Sequence, residues 1–130
     1  MKKQVAIIGG GAAGMMAAIT AARCGAAVTI FEHTERLGKK ILSTGNGKCN
    51  LGNTNIGREC YYSSDLELVE DCLARFSTEE TISFFEDLGL CIKNKNGYLY
   101  PLAEQASGVL DVLRYAVEAL QIKVIYEADV

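Results

Sequence analysis

Residues 9–14 read Gly9-Gly10-Gly11-Ala12-Ala13-Gly14, a G-x-G-x-x-G hexapeptide, and its neighbours restrict what the chain can become. Before it stands Val5-Ala6-Ile7-Ile8, apolar and rich in β-branched residues, which predicts a central parallel strand buried on both faces. After it, Ala12 to Ala22 is Ala-rich and carries Met15, Met16 and Ile19, which predicts a helix, with Gly25 where a C-terminal cap belongs. Val28-Thr29-Ile30-Phe31 predicts a second strand that ends in Glu32. Together these make one β-α-β unit, complete by residue 32, and an α/β, Rossmann-like fold with a parallel sheet.

Each part of the hexapeptide has a physical task. Gly9 allows the sharp turn out of the strand. Gly11, lacking a side chain, lets a pyrophosphate approach the backbone, and Gly14 lets the helix pack closely on the sheet. The first-turn amides around Ala12 and Ala13, with the positive end of the helix dipole, then face the phosphates. Glu32 lies 18 residues past Gly14, where a carboxylate can accept both hydroxyls of an adenosine ribose. The same charge repels a 2′-phosphate and disfavours NADP, leaving FAD and NAD. A glycine-rich turn without a ligand is the alternative. The strand before, the helix after and the acid at the end of the second strand argue against it.

From His33 to Asp65 no period is visible, and the stretch holds five glycines and four asparagines. A loop this long without structure of its own is rare in a compact domain unless it binds something. Within it Lys39, Lys40, Thr44, Gly45, Asn46, Gly47, Lys48, Cys49 and Asn50 combine cations, small residues and side-chain amides, a composition suited to wrapping the second part of a long dinucleotide. A solvated loop face is the alternative. Further on, Ser64-x-x-Glu67 and Ser77-x-x-Glu80 predict capped helices, the first with Leu66, Val69, Leu73 and Phe76 on one face. Asn96-Gly97, between Leu90–Lys93 and Tyr98–Tyr100, predicts a hairpin. Ser107 is placed as the cap of a last helix, and Ile122 to Tyr126 as a strand.

The composition bounds the rest. The chain has 130 residues, 49% of them apolar, with 13 Lys and Arg against 16 Asp and Glu for a net charge of −3. That is globular composition for one domain, and the absence of a basic block disfavours nucleic acid as a partner. No apolar run is long enough to span a membrane. Gly9 to Gly11 would break a signal-peptide helix, and Ala21-Ala22-Arg23-Cys24 is a poor cleavage site. Five cysteines without a CxxC fit reduced thiols in a cytoplasm and no metal site.

Gly9 to Glu32 resembles the FAD-binding fingerprint of the glutathione-reductase-like superfamily. The run from Gly38 to Asn50 is similar to the loop of bacterial aminoacetone-oxidase-like FAD-dependent oxidoreductases, as are Phe84-Phe85-Glu86-Asp87-Leu88-Gly89 and the segment from Tyr100-Pro101 through Ala106-Ser107. The resemblance implies a flavoprotein oxidoreductase with FAD, hydride transfer through the flavin, and NAD(P)H as an electron partner of a longer parent. It implies the pyrophosphate on Gly11 to Gly14, the adenosine end at Glu32 and His33, and the loop from Lys39 to Asn50 running toward the flavin. The third strand would then lie beside the Glu32 strand. Two residues depart from the pattern: Lys48 stands where Arg is usual and Gly52 where Thr is usual. By length the chain resembles an N-terminal fragment: a dinucleotide fingerprint to residue 32, a cofactor-wrapping loop to 65, then helices, hairpin and third strand to 130. Catalytic residues would lie beyond Val130, and exposed edges would permit pairing between copies. The alternative is a dinucleotide-binding module, or an NAD-binding one, without flavin chemistry.

Overall fold

The computed structural model describes all 130 residues. In chain order the elements are β1 (Gln4–Ile8), α1 (Ala12–Arg23), β2 (Ala27–Phe31), 3-10 turns over Lys39–Gly47, β3 (Gly52–Asn53), a 3-10 turn at Arg58–Cys60, α2 (Leu66–Arg75), α3 (Thr78–Asp87), β4 (Ile92–Lys95), β5 (Tyr98–Pro101), α4 (Ala106–Ala119) and β6 (Lys123–Ile125). One sheet is parallel in the order β1-β2-β6, with Val5 opposite Val28 and Ile30 opposite Val124. The third strand thus lies beside β2, as expected. The second sheet is antiparallel in the order β3-β5-β4.

The core follows from the apolar periods. Met15, Ala18 and Ile19 of α1, Val28 and Ile30 of β2, and Val109, Leu110, Leu113 and Val117 of α4 form one buried cluster. α4 packs against α1 and against the 3-10 turns, so the helix closes the unit and anchors the loop that follows β2. Gly25, at φ +86, ends α1. Asn96 at φ 53 and Gly97 at φ 95 supply the two positive angles that a tight two-residue hairpin turn needs. Ser77 and Glu80 form the expected capping box of α3.

Several expectations are corrected. β1 is an edge strand, not a central one. Val5 and Ile7 are half-buried, while Gln4, Ala6 and Ile8 are exposed, Ile8 by 62%. An apolar run reports affinity for a core; what covers its two faces is decided by other elements. The stretch from 33 to 65 is not structureless, because β3 joins the hairpin sheet and 3-10 turns fill much of the rest. Asp65, not Ser64, caps α2 by accepting from the Leu68 amide. α2 carries no fully buried residue, and its apolar stripe is only half covered. Ser107 lies inside α4, whose N-cap is Gln105, two residues before the expected cap, so that the buried Ala106 is the first helical residue.

Candidate functional site

The turn between β1 and α1 is held open by its backbone. Gly9 sits at φ +92, a conformation that favours glycine, and its N–H donates to Phe31 O at 2.8 Å. A Cβ on Gly14 would collide with Gly9 O and meet Ile7 Cγ2 at 3.4 Å, so the absence of a side chain there sets the close approach of α1 to β1. A Cβ on Gly11 would meet nothing within 4 Å. Gly11 is the N-cap of α1, no side chain caps it, and no acid stands in the first turn. The first-turn amides of a helix have no partner within it, so these donors, with Gly11, Ala12 and Ala13 exposed, are available to an external anion.

Glu32 closes the other side. It follows β2, and its own backbone is fixed to the third strand by donating to Ile125 O at 2.8 Å. Its Oε2 accepts from the Gly10 amide at 2.6 Å, and its Oε1 accepts from the amide and the hydroxyl of Thr34, both at 2.8 Å. The residue is only 9% exposed, covered by near neighbours and not by depth, because it lines an open depression of about 270 Å³ with Gly9, Phe31, His33, Ala128 and Asp129. Burial alone would raise the carboxyl's pKa. The amide of Thr34, the amide of Gly10 and the Thr34 hydroxyl outweigh it, with a further contribution from the charge of His33, and hold the pKa below the usual range. His33 itself points outward and pairs with Asp129 at 3.2 Å, both side chains well exposed. A larger depression, about 840 Å³, lies among Lys3, Val5, Ala21 and Gly25 at the opposite end of the strands. Ligands of open α/β sheets bind outside the carboxyl ends of the strands, where Gly9 and Glu32 meet.

The loop is tied to this turn at one point. Gly38, at φ +67, donates to Gly10 O at 2.8 Å, and a Cβ there would collide with Leu110 and approach Met15 Cε at 3.0 Å. Beyond it Ile41 is buried, while Lys39 and Lys40 are exposed and Lys39 lies 3.4 Å from Glu35. Thr44, Gly45 and Asn46 break the 3-10 turns. The Cys49 amide donates to Thr44 O at 3.0 Å and the Lys48 amide to Gly45 O at 3.1 Å, so residues 44–49 fold back on themselves. Gly45 is required there, since a Cβ would come within 2.6 Å of the Asn50 amide. Gly47 is at φ +80; Cys49 is buried, and Asn50 Oδ1 accepts from the Gly52 amide at 2.9 Å. Lys48 reaches toward Glu104, 3.7 Å away, which Lys93 and Lys95 also face at 3.5 and 3.9 Å. Partial burial works against ionisation of Glu104, and the ammonium groups of Lys48, Lys93 and Lys95 overcome it, so its pKa also lies low.

The structure therefore brings Gly9, Gly11, Gly14, Glu32, His33 and Gly38 to one end of the sheet. It turns Lys39 and Lys48 to acidic partners on the surface. Two contributors escape a motif reading. Gly10 occupies an unrestricted motif position, yet a Cβ there would collide with Leu37 and come within 2.9 Å of Glu32 Oε2. Thr34 lies outside the fingerprint, and a hydroxyl two residues beyond the acid was its only signal.

The family model described as HI0933-like protein Rossmann domain matches residues 3–130. The chain is 45% identical to a 3-dehydro-bile acid delta(4,6)-reductase of Clostridium scindens over 93% of its own length and 30% of that protein. It is 31% identical to a ribosomal RNA dihydrouridine synthase of Haemophilus influenzae over 95% of its own length and 31% of that protein. The chain thus spans about a third of the length of these curated relatives. In fold it is similar to a 3-ketosteroid-delta4-(5alpha)-dehydrogenase from Rhodococcus jostii RHA1, with a TM-score of 0.71 and 18% identity over 96% of this chain and 38% of that one.

Proposed function

The chain belongs to the HI0933-like Rossmann-domain family, and from that membership we propose that it is the FAD-binding N-terminal portion of an oxidoreductase. The observation that carries the reading is the hydrogen bond from the Gly10 amide to Glu32, which joins the glycine turn and the acid in a single site. The donor set fits a dinucleotide: open backbone at Gly11, free first-turn amides, and an ionised carboxylate across the crevice.

In this reading Gly9 makes the turn, and the backbone of Gly11, Ala12, Ala13 and Gly14 binds the pyrophosphate. Glu32 grips the adenosine ribose and keeps a 2′-phosphate out by charge. His33 borders the adenosine end. Gly38 ties the loop to the turn, and Lys39, Lys40, Thr44, Gly45, Asn46, Gly47, Lys48, Cys49 and Asn50 lie along the remainder of the cofactor. When bound, the flavin supplies the hydride chemistry, with the protein contributing position and electrostatics. No side chain of this portion is proposed as an acid or base. The relative at 45% identity is named for reduction, which favours a reductase over the aminoacetone-oxidase-like branch that the loop resembles. Relatives named for ribosomal RNA make the substrate a matter for the remaining two thirds of such proteins.

The test is colour and stabilisation. Purified protein should carry a flavin absorbance band released on denaturation, or should gain thermal stability with added FAD. Stabilisation by NAD without FAD would replace the flavin reading with a nicotinamide module. No response to either would reject both.

A further inference from the structure

One face of the hairpin gathers charge from three parts of the chain. In the β4–β5 register Lys93 stands opposite Tyr100 and Lys95 opposite Tyr98, so these four side chains share a face, while Leu99 and Pro101 are buried on the other. Lys48 reaches the same place from the end of the 3-10 turns, and Glu104 from the turn before α4. Lys48, Lys95, Asn96, Tyr98, Tyr100 and Glu104 line an open depression of about 210 Å³.

The charges there do not satisfy one another. Three ammonium groups against one carboxylate leave an excess of two positive charges, since 3 − 1 = 2. The nitrogens of Lys48, Lys93 and Lys95 stand 3.7, 3.5 and 3.9 Å from Glu104, beyond the roughly 2.7–2.9 Å of a charge-assisted hydrogen bond. Glu104 Oε1 is buried and accepts no hydrogen bond, which is costly for a charged acceptor. Glu104 also sits at φ 53, in a turn closed by its amide donating to Pro101 O at 2.8 Å, so the backbone places the carboxylate in a conformation that side chains disfavour. A ligand that satisfies both halves carries negative charge for the lysines and a proton for Glu104. We propose that this depression binds a phosphate that retains a proton, its oxygens accepting from Lys48, Lys93 and Lys95 and its P–OH donating to Glu104 Oε1. Sulfate would give the lysines their charge but set a second anion against Glu104. The site does not rest on the dinucleotide reading. Because Lys48 belongs to the loop and Lys93 and Lys95 to β4, an occupied site also ties the loop to the hairpin.

The experiment titrates the isotope-labelled chain with phosphate, sulfate and methyl phosphate at constant ionic strength and follows its amide resonances. Above about pH 7 inorganic phosphate still holds a proton, sulfate has none, and methyl phosphate, with a second pKa of about 6, has lost its last. Phosphate should shift the amides of Lys48, Asn96, Tyr100 and Glu104 saturably. Sulfate and methyl phosphate should bind at least about tenfold more weakly, the worth of a hydrogen bond to a charged group. Methyl phosphate repeated at about pH 5, where it is protonated, separates the sources: recovered binding extends the site to phosphomonoesters, and its absence confines the site to free phosphate. Glu104→Gln should abolish the preference, bringing sulfate within about twofold of phosphate. Lys95→Gln, at an exposed strand position, should weaken phosphate several-fold and keep the preference, which leaves the proposal testable should Glu104→Gln fail to fold. Equal binding of phosphate and sulfate by the native chain, an unchanged preference in folded Glu104→Gln, or phosphate binding undiminished in Lys95→Gln would overturn the proposal. So would the absence of a saturable shift, or shifts confined to Gly11 to Gly14, which would report the glycine turn and leave the dinucleotide reading standing.

Discussion

A methyl group added at Gly14 and one added at Gly11 should damage the protein in two different ways. At Gly14 the new Cβ runs into Gly9 O, a backbone atom that cannot rotate aside, and meets Ile7 Cγ2 at 3.4 Å. Relief requires α1 to move away from β1, where Met15, Ala18 and Ile19 are packed into the core. Overpacking of this kind costs up to about 3 kcal/mol, and the gain in helix propensity from Gly to Ala returns about 1 kcal/mol. Gly14→Ala should therefore lose about 2 kcal/mol, a melting temperature lower by roughly 6–10 °C for a domain of this size. At Gly11 the Cβ meets nothing within 4 Å and φ is −76, so Gly11→Ala fits the fold and costs at most about 1 kcal/mol as a poorer N-cap. On the proposed placement of the pyrophosphate its damage should appear chiefly in ligand binding, because the methyl group would stand where the phosphate approaches the backbone. Urea unfolding without ligand and FAD titration of each variant separate the two effects. A Gly11→Ala variant that binds FAD as tightly as the native chain would refute the placement of the phosphate. A Gly14→Ala variant of native stability would refute the packing account.

Glu32→Ala should lower the stability of the unliganded chain by about 1–3 kcal/mol, read by chemical denaturation, because the Gly10 and Thr34 amides lose their acceptor. It should also weaken FAD binding, and unchanged affinity would count against a ribose contact. The depressed pKa of Glu32 fixes the sign of a pH effect: the stabilisation is fully present above the ordinary glutamate value of about 4.3 and is lost as the pH falls through the lower folded-state value. Denaturation midpoints measured from pH 6 to 2 should show this loss, with a smaller one in Glu32→Ala. Ser77→Ala, which removes one half of the capping box of α3, should cost about 1 kcal/mol in the same unfolding assay with no change in ligand binding.

The β-α-β unit was legible because each of its constraints is local. A β-branched run, a glycine turn, an Ala-rich helix and a Gly stop fix the elements, and β1 to β2 followed the sequence within a residue. The hairpin was legible for the same reason: Asn96-Gly97 tolerates the positive φ angles of its turn. What escaped depends on partners distant in the chain. The edge position of β1 is set by which strands pair with it, and β3 exists because Gly52 and Asn53 meet Leu99 and Tyr98, far along the chain. At the site, the glycines and the acid were readable as a spacing. The occupancy of Glu32 by Gly10 and Thr34 was not, since backbone donors leave no mark in residue identity. Lys48 was readable as a cation in a loop; its approach to Glu104 arises only when the hairpin and the turn before α4 fold beside it.

Calorimetric titration of FAD into the chain and into Gly11→Val tests the central claim most directly, since a branched side chain at that open position fills the space beside the free amides. Saturable binding to the native chain, abolished in a Gly11→Val protein that stays folded and loses no more than the roughly 1 kcal/mol of a poorer N-cap, is the predicted result. Equal binding by both proteins, or none by the native chain, would contradict it.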